Sequence, residues 1–439
     1  MSSAKVPLLH NVPEHRGASR RYLPTAFMVF LLYCYSFALY FRDVSAPVIG
    51  QHCAHIPPIS AEEFTTRQNA LARTLVDLNA TAYIAEPGAS FKYYANVSNA
   101  NWGLSERPLL LIVTPVQAGN DVQAQITILT PTFEAARAKL ELPIASTDVT
   151  WIDWAEEANP YEHAISSLRD SPGPVFVDGH IRAFILDGLK DAHPDRTVST
   201  APYEIKRLRE RKSPSEIAIL KCVNEATLLS IRAVRERMYL GIRESTASAM
   251  MRETLASAGL TNGGCLTLFG DDAALPHGRG SDRPLGKNDF ALFDCTAGLH
   301  GYSSDVTRTV AIEGSKIPED HLHLWHQVHH AQTAAIQTAK AGVIAKEVDI
   351  AAREALNNTK YFTHRLGHGI GLEVHEDPYL NGGSTSVLET GHTFSDEPGY
   401  YHIGKVGIRL EDCFYIHENG NAVFLTAGVG GQAKSPWSP

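Results

Sequence analysis

The sequence is poor in cysteine, and its cysteines show no arrangement that indicates a structural role. Only six occur in 439 residues. They are scattered along the chain, with neither the paired spacing of a zinc site nor the density of a disulfide framework. One of them, Cys34, lies in an apolar run, which leaves an odd number elsewhere. The sequence therefore predicts no cysteine-based site and no particular pairing.

An excess of basic residues is also missing. The formal net charge is −9 at pH 7, which argues against a surface that binds nucleic acid. The one basic cluster, residues 206–212, is interrupted by an acid and is typical of a solvated linker or helix face. Internal repeats and low-complexity tracts are absent as well. With 44% hydrophobic and 20% charged residues, the composition indicates a globular protein long enough for two domains with full cores.

Charge is missing altogether from residues 22–41. A helix of these 20 residues would be about 30 Å long, the thickness of the hydrocarbon core of a bilayer. Four basic residues precede the stretch and Arg42 alone follows closely, so the positive-inside rule predicts a cytosolic tail at 1–21, a transmembrane anchor at 22–41 and a lumenal or extracellular remainder. A cleaved signal peptide is the alternative, disfavoured because Pro47 follows the one tidy small-residue site at 44–46. Glycosylation sequons, which fit a lumenal or extracellular location, begin at Asn79, Asn96 and Asn357.

The carboxyl-terminal half contains two pairs of acidic residues that flank predicted turns. In the first pair, strand-like alternation ends at Asp294, and the glycines of residues 298–301 indicate a turn. If this hairpin folds about Leu299-His300, Asp294 lies opposite Asp305. Residues that oppose each other in antiparallel strands share one face, with Cβ atoms about 5 Å apart. The first hairpin is therefore predicted to present two carboxylates side by side.

The second pair repeats this arrangement, because Glu397 and Glu411 flank a turn centred on Gly404. Four clustered carboxylates repel one another, and a bound cation is the usual remedy. Between the two hairpins lies the glycine-rich segment 365–378, in which His368 can approach a site closely because glycines permit tight turns. One imidazole and four carboxylates give enough ligands for two divalent ions.

The predicted ligands favour a particular metal. Oxygen donors with a single nitrogen suit Mn²⁺ better than structural Zn²⁺, which prefers cysteine and histidine. Formal charges agree, since four carboxylates balance two divalent ions and leave a bound hydroxide as the nucleophile. Two divalent ions, Mn²⁺ by this argument, are therefore the predicted cofactor. The alternative interpretation is a pair of ordinary surface hairpins with solvated acids.

The order and the neighbours of these residues resemble the metal site of the M24 "pita-bread" metallopeptidases. That family includes aminopeptidase P, prolidase, methionine aminopeptidase and the metal-free creatinase. The resemblance extends from about residue 213 to 424, and more weakly through an amino-terminal domain similar to that of creatinase. The matching stretches are Asp-Val-Thr-Arg-Thr at 305–309, Gly-His-Gly-Ile-Gly-Leu-Glu-Val-His-Glu at 367–376, Glu-Pro-Gly-Tyr-Tyr at 397–401 and Gly-Ile-Arg-Leu-Glu-Asp at 407–412.

The resemblance implies an α/β (α+β) fold with two domains. A small creatinase-like α/β domain is expected at 42–205, behind the predicted transmembrane helix, and a pita-bread catalytic domain with a curved antiparallel sheet at 206–439. The residues agree, since helix and strand signals alternate from about 60 to 200. Ser213-Pro214-Ser215-Glu216 then predicts a capping box at the start of a helix. In relatives the amino-terminal domain helps to form dimers, so a homodimer is expected.

The resemblance also assigns a metal-binding role to each of the five ligands. Asp294 would bind one metal, while Asp305 and Glu411 would bridge both. His368 and Glu397 would complete the coordination of the other metal. No ligand is substituted, which argues against a metal-free relative.

Four further residues match positions near the substrate. His277 resembles the histidine that meets the substrate near the scissile bond. His375 resembles the one that stabilises the oxyanion or assists proton transfer. His364 and Arg409 match positions that orient this network.

The implied reaction is attack of a metal-bridging hydroxide on a peptide bond near the amino terminus of a small peptide with proline in the second position. The two-domain layout and His277 favour such enzymes over methionine aminopeptidase. Xaa-Pro aminopeptidase is the predicted function. Xaa-Pro dipeptidase (prolidase) is the alternative, because no residue indicates whether the carboxyl end of the substrate is clamped. A non-catalytic binding protein on the same fold is disfavoured by the intact ligand set.

Overall fold

A computed structural model of the protein describes residues 49–146, 148–168, 172–357 and 359–439. Its amino-terminal part is built on a mixed sheet of six strands. These strands are β1 (Ala82–Ala85), β2 (Leu110–Ala118), β3 (Asp121–Pro131), β4 (Val149–Trp154), β5 (Val175–Val177) and β6 (Val198–Thr200). Their order is β4-β3-β2-β1-β5-β6. β2 is antiparallel to both of its neighbours, β1 and β3. The other three pairs, β3 with β4, β1 with β5 and β5 with β6, are parallel.

Helices cover both faces of this sheet, because successive strand residues point to opposite sides. Tyr83 and Val113 belong to one core, and Ile84 and Ile112 belong to the other. The helices of this part are α1 (Ala61–Asp77), α2 (Ala89–Ala95), α3 (Ala135–Glu141), α4 (Pro160–Ser166), α5 (Ala183–Ala192) and α6 (Tyr203–Glu210). Residues of α1, α2, α3 and α6 pack on the first face, while α4 and α5 pack on the second.

The carboxyl-terminal part combines antiparallel strands with four long helices. The helices are α7 (Pro214–Arg237), α8 (Glu244–Ser257), α9 (Glu319–Thr338) and α10 (Ala345–Leu356). The strands are β7 (Thr261–Phe269), β8 (Ala291–Leu299), β9 (Tyr302–Val310), β10 (Gly367–Gly369), β11 (Glu376–Leu380), β12 (Thr393–Asp396), β13 (Gly399–His402), β14 (Val406–Arg409), β15 (Asp412–Ile416) and β16 (Ala422–Phe424). They form a sheet β7-β8-β9, a sheet β11-β10-β12-β15-β16 and the hairpin β13-β14. One core lies between α7, α8 and the first of these sheets, and a second lies under α9 and α10.

The first hairpin forms as predicted, but its register differs by two residues. Asp294 pairs with Thr307, and Asp305 pairs with Thr296, so the two acids are not directly opposite. The turn consists of His300 and Gly301, which both adopt positive φ angles of 52° and 91°. Two-residue hairpin turns of this kind match the twist of the strands, and glycine adopts such angles readily. The turn chemistry therefore places the bend one residue later than predicted.

The second hairpin has the predicted register. Gly399 pairs with Arg409 on one side of the two glutamates, and Asp396 pairs with Asp412 on the other. Gly404 lies in the turn with a φ of 74°. The prediction that Glu397 and Glu411 occupy opposed positions is confirmed.

Two disulfide bonds join cysteines whose pairing the sequence did not indicate. Cys53 is bonded to Cys222 on α7, which attaches the first described residues to the carboxyl-terminal part. Cys265 and Cys295 are bonded across the paired strands β7 and β8. Cys413 is buried and carries no disulfide within the described part of the chain.

The predicted transmembrane anchor is corrected by the structure. Among the described residues, no helix combines the length and the apolar character needed to cross a bilayer. The longest, α7, has 24 residues, but charged side chains such as Lys221, Glu225 and Arg232 interrupt it. Residues 22–41 themselves lie outside the described part of the chain. The transmembrane helix, and the single-pass membrane localisation based on it, are therefore not retained.

The predicted division into domains stays a prediction. Ile49–Pro439 form one compact unit, and the expected boundary between residues 205 and 206 falls inside α6. A buried polar cluster joins the two parts. Arg67 of α1 donates to the hydroxyl of Tyr302 at 3.1 Å, and that hydroxyl donates to Glu216 of α7 at 2.9 Å.

The capping box at the start of α7 provides a test of local stability. The Ser213 hydroxyl accepts a hydrogen bond from the Glu216 N–H at 3.2 Å, and the Glu216 carboxylate accepts one from the Ser213 N–H at 2.9 Å. Ser213→Ala should lower the free energy of unfolding by about 1 kcal/mol or more, because one helix N–H loses its partner and the Glu63 carboxylate loses the hydroxyl that donates to it at 2.6 Å. Urea unfolding monitored by circular dichroism measures the change. As a control, Thr246→Ala on the exposed side of α8 should change it by less than about 0.5 kcal/mol. Equal changes in both variants would contradict the assignment.

Candidate metal centre

Asp294 and Asp305 project from the hairpin of β8 and β9. A register difference of two residues preserves the side on which a side chain lies, so both carboxylates remain on one face of the sheet. The N–H of Asp305 donates to the Asn224 side-chain oxygen of α7 at 3.3 Å, which attaches this position to the underlying helix.

Glu397 and Glu411 lie where two pairs of strands meet. Glu397 connects β12 to β13, and Glu411 connects β14 to β15. The Ser395 hydroxyl donates to Glu397 Oε1 at 3.2 Å, and the Thr307 hydroxyl donates to Glu411 Oε2 at 2.6 Å. Each carboxylate therefore has one oxygen held by a neighbouring hydroxyl group.

His368 is the central residue of β10, and its two glycine neighbours make that position possible. A Cβ atom on Gly367 would lie 2.0 Å from the Ser395 carbonyl oxygen, and one on Gly369 would lie 2.4 Å from the Glu376 carbonyl oxygen. The Nδ1 atom of His368 lies 3.0 Å from the Gly369 carbonyl oxygen. A proton on Nδ1 is favoured by this contact, so Nε2 presents its lone pair, as a metal-binding histidine requires. Nε2 lies 3.2 Å from Glu397 Oε1.

All five predicted metal ligands lie in one cluster. Three overlapping groups of side chains have ligand atoms within 4.8 Å of one another. The groups are Asp294, Asp305 and Glu411; His368, Glu397 and Glu411; and Asp305, His368 and His375. His375, predicted to face the substrate, thus adjoins the cluster. Its ring lies edge-on to that of His368, with 4.3 Å between centroids.

Two buried oxygens in the cluster fit a bound cation. Asp305 Oδ1 and Glu411 Oε1 are inaccessible to solvent and have no hydrogen-bond partner among the described residues. Buried carboxylate oxygens are costly to leave unpartnered, so such atoms call for an ion or ordered water. An oxygen-rich donor set with one free imidazole nitrogen is suited to hard and borderline divalent ions. The residues present therefore fit a divalent metal ion, while the identity of that ion stays a prediction.

Burial and mutual repulsion make these carboxyl groups weak acids. Burial, followed by repulsion from Glu397 and Asp294, raises the pKa of Glu411 to about 8. Burial likewise raises the pKa of Glu397 to about 7, and it is the main reason that the pKa of Asp305 lies well above its usual range. Burial also lowers the pKa of His368, which favours the neutral imidazole.

Arg409 and His364, predicted to orient the network, are joined through Tyr401. Arg409 is 2% exposed and donates to Asp294 Oδ2 at 2.6 Å and to the Tyr401 hydroxyl at 2.9 Å. His364 Nε2 lies 2.8 Å from the same hydroxyl. Burial is the main cause that lowers the pKa of His364 to about 4, with Arg409 and His277 contributing. At neutral pH the chain His364–Tyr401–Arg409–Asp294 therefore contains a neutral imidazole.

The exposed His277 lies near the other substrate-side histidine. It follows the short 3-10 helix Gly270–Ala274, and its proximity to His375 helps to lower the pKa of that imidazole. Burial and His368 are larger causes, and together with Arg365 they bring the pKa of His375 to about 4. The structure thus brings together every residue named from the sequence, while their individual roles stay predictions.

Three residues near the cluster were not predicted from the sequence. Tyr401 and Thr307 lie inside the matching stretches, but nothing in those stretches distinguishes them from structural residues. The third is Arg365, whose guanidinium lies 4.6 Å from the centre of the Tyr379 ring. Within the part of the chain that the structure describes, this half-buried guanidinium forms no hydrogen bond and no ion pair. The sequence signal that could have indicated Arg365 was its position directly after His364, a predicted site residue.

Comparison with known sequences identifies similar proteins. A profile of metallopeptidase family M24 matches residues 218–418. An uncharacterized peptidase of Schizosaccharomyces pombe is 38% identical over 403 residues, covering 88% of this chain and 87% of the relative. The probable dipeptidase PepE of Mycobacterium tuberculosis is 31% identical over 366 residues, which cover 82% of this chain and 94% of the relative. An Xaa-Pro dipeptidase of Pyrococcus furiosus is 32% identical over 249 residues, which cover 56% of this chain and 71% of the relative.

Solved structures give the same picture of the fold. Dipeptidase PepE from Mycobacterium ulcerans aligns with a TM-score of 0.75 at 28% identity, covering 84% of this chain and 97% of the other. An X-Pro aminopeptidase from Thermotoga maritima aligns with a TM-score of 0.64 at 25% identity, covering 81% and 97%.

The raised carboxyl pKa values predict how metal binding depends on pH. Glu397 and Glu411, with pKa values of about 7 and about 8, must lose their protons to bind a cation. Affinity for Mn²⁺ should therefore rise as the pH increases towards about 8, by about tenfold per pH unit for each proton displaced. Calorimetric titration in two buffers of different ionisation enthalpy measures both affinity and proton release. Affinity that does not vary below pH of about 7, without proton release, would contradict the raised pKa values.

Proposed function

The chain belongs to metallopeptidase family M24, and from this premise we propose that it hydrolyses Xaa-Pro dipeptides at a dinuclear metal site. It is a metallopeptidase, and its proposed ligands are the five residues of the cluster. The convergence of these side chains, with two buried oxygens that have no partner among the described residues, is the observation that carries the proposal.

Divalent ions at this cluster would supply water of lowered pKa and would polarise the carbonyl group of the scissile bond. The protein would supply orientation and proton transfer. Arg409 holds Asp294, and Thr307 holds one oxygen of Glu411, so their remaining oxygens have fixed directions. Preorganised polar groups of this kind contribute to catalysis because they need no rearrangement during the reaction.

The two exposed histidines are proposed to act on the reacting amide. His375 and His277 lie beside the cluster, and a pKa of about 4 makes His375 neutral at working pH. A neutral imidazole can donate a hydrogen bond to the developing oxyanion through one nitrogen. A bond to proline has no amide N–H, and proline leaves as a secondary amine, so a nearby group must provide its proton.

Arg365 is proposed to bind the carboxylate of a dipeptide substrate. Its stacking on Tyr379 leaves the hydrogen-bonding groups of the guanidinium available, and it is close enough to affect the pKa of His368 and His375. Guanidinium groups bind carboxylates through two parallel hydrogen bonds. An Xaa-Pro dipeptide presents its carboxylate immediately after the scissile bond, whereas a longer peptide has an amide there. This observation and the dipeptidase names of the relatives favour dipeptidase over aminopeptidase activity.

Hydrolysis assays test the proposed function directly. The purified chain with Mn²⁺ should hydrolyse Ala-Pro with a higher kcat/KM than Ala-Pro-Ala, and chelation should abolish the activity. Asp305→Asn should lower kcat/KM by more than about 100-fold, since even outer residues of metal sites contribute 10- to 100-fold. Asp195→Asn, an exposed acid far along the sequence, should leave activity unchanged. Preference for Ala-Pro-Ala would identify an aminopeptidase, and absence of both activities would refute the proposal.

A second assay tests the role of Arg365. Arg365→Met should raise KM for Ala-Pro by about 10- to 100-fold, because a hydrogen bond to a charged group contributes about 1.5–3 kcal/mol. Ala-Pro-amide has no carboxylate, so the same variant should process it almost as well as the wild type does. Arg365→Lys should retain part of the preference, since it keeps the positive charge. Equal losses for the acid and the amide would contradict carboxylate binding.

A further inference from the structure

The loop that carries His375 is held by an ionic network outside the metal cluster. Residues 370–375 connect β10 to β11, and Glu376 is the first residue of β11. His375 is exposed beside the ring of His368, whereas Glu376 is only 3% exposed. Two consecutive side chains thus lie in different environments, one at the candidate site and the other in the interior.

The partner of the buried carboxylate is Lys212. Its Nζ atom donates to Glu376 Oε1 at 2.5 Å and to the carbonyl oxygens of Arg209 and Glu210 at 2.9 and 3.1 Å. An ammonium group has three donors, and all three are therefore used. Such a fully bonded group allows little freedom to the carboxylate that it holds.

Arg209 adds a second cation to the network. Its Nη2 atom lies 2.5 Å from Glu373 Oε2 and 3.7 Å from Glu376 Oε2. Glu373 precedes His375 by two residues, and Glu376 follows it directly. The carboxylates on both sides of the histidine are thus bound by one short segment, residues 209–212.

That segment and Leu208, which precedes it, are attached to both parts of the protein. The Tyr93 hydroxyl of α2 donates to the Leu208 carbonyl oxygen at 2.6 Å. The N–H of Lys212 donates to the Gly391 carbonyl oxygen, two residues before β12, at 2.8 Å. The cations are therefore fixed with respect to the sheet that carries His368.

We propose that Lys212, Arg209 and Glu376 are positioning residues that hold His375 at the candidate site in the orientation needed for hydrolysis. This inference rests on the proposed function, in which His375 acts on the scissile amide. The three residues act through the loop and do not touch the reacting atoms.

Packing of the loop supports the proposal independently of charge. A Cβ atom on Gly371 would lie 2.6 Å from Glu376 Oε1 and 2.7 Å from Lys212 Cε, so the loop lies directly against the ion pair. The N–H of Ser303 donates to the Gly371 carbonyl oxygen at 2.8 Å, which attaches the start of the loop to β9. Although burial would raise the pKa of Glu376, Lys212 and Arg209 lower it below its ordinary value, so this carboxylate is ionised at neutral pH.

Two single variants test the network by different routes. Glu376→Gln removes the charge with little change of shape, and Gly371→Ala displaces the ion pair without changing charge. In both, kcat for Ala-Pro should fall by about tenfold or more while KM changes less than about twofold, because a displaced catalytic group lowers the rate more than binding. Hydrogen–deuterium exchange of residues 371–377, measured without substrate, should become faster in both variants.

A double variant separates stability from position. Lys212→Met removes the nearer of the two cations that face the buried Glu376 carboxylate and should lower Tm, whereas Lys212→Met/Glu376→Leu removes both charges of the pair and should recover Tm. The low kcat should persist in the double variant, since the attachment of the loop through Lys212 and Glu376 is lost. Recovery of kcat together with Tm would overturn the proposal, because the ion pair would then serve stability alone.

Glu86→Gln is the matched control. Glu86 is 5% exposed and accepts hydrogen bonds from Arg182 at 2.8 Å, so it is a similar buried carboxylate on the amino-terminal part. It should lower Tm without changing kcat. If Glu376→Gln behaves in the same way, the positioning role is refuted. If the wild type hydrolyses no Xaa-Pro peptide, the proposed function fails instead, and the exchange of residues 371–377 alone then decides whether the network holds the loop.

Discussion

Repulsion among buried carboxylates is the constraint on which the carboxyl-terminal part of this protein depends. Asp305 and Glu411 are almost inaccessible to solvent, and Asp294 and Glu397 lie close to them. Within the described part of the chain, the guanidinium of Arg409 donates to Asp294 but to none of the other three carboxylates. The remaining negative charge has to be balanced by cations or by protons, since isolated charges are not stable in a protein interior. Metal binding, proton uptake and local stability are therefore aspects of one electrostatic balance.

The scaffold around the cluster resists this repulsion with bonds of its own. Arg308 donates to the Asp412 carboxylate and to the Glu411 carbonyl oxygen, at 2.8 and 2.6 Å. Gln332 of α9 and Thr426 bind the same Asp412 carboxylate. The strands that carry the ligands are thus joined to each other and to a helix by side chains that point away from the site. Such outer bonds are what allow several like charges to be held near one another.

Local patterns predicted much of this arrangement, because they depend on few neighbours. The capping box of α7 and the turn at Gly404 each depend on residues that are close together in the sequence. The error in the first hairpin has the same local origin. The predicted turn was Leu299-His300, but a two-residue turn needs positive φ angles, which His300 and Gly301 adopt. Because the registers differ by two residues, Asp294 and Asp305 still lie on one face of the sheet, and the predicted cluster forms.

Other features could not be predicted because they depend on residues far apart in sequence. Tyr401 links His364 to Arg409, and Lys212 meets Glu376 across 164 residues. Neither contact has a signature in spacing or composition. Arg365 is distinguished by having no hydrogen-bond or ion-pair partner for its guanidinium among the described residues. The length and apolar character of residues 22–41 suggested an anchor, but these measures describe a segment in isolation, and no described helix has the same properties.

The covalent bond between Cys53 and Cys222 has a consequence for the integrity of the chain. The amino-terminal sheet is encoded entirely between these two cysteines, which are 169 residues apart. A protease that cleaved any exposed loop in that interval would open the backbone but would leave the fragments linked through sulfur. Such a nicked molecule would migrate as a single species until a reductant was added. Covalent continuity of the sheet with helix α7 thus depends on the oxidation state of the surroundings as well as on the peptide backbone.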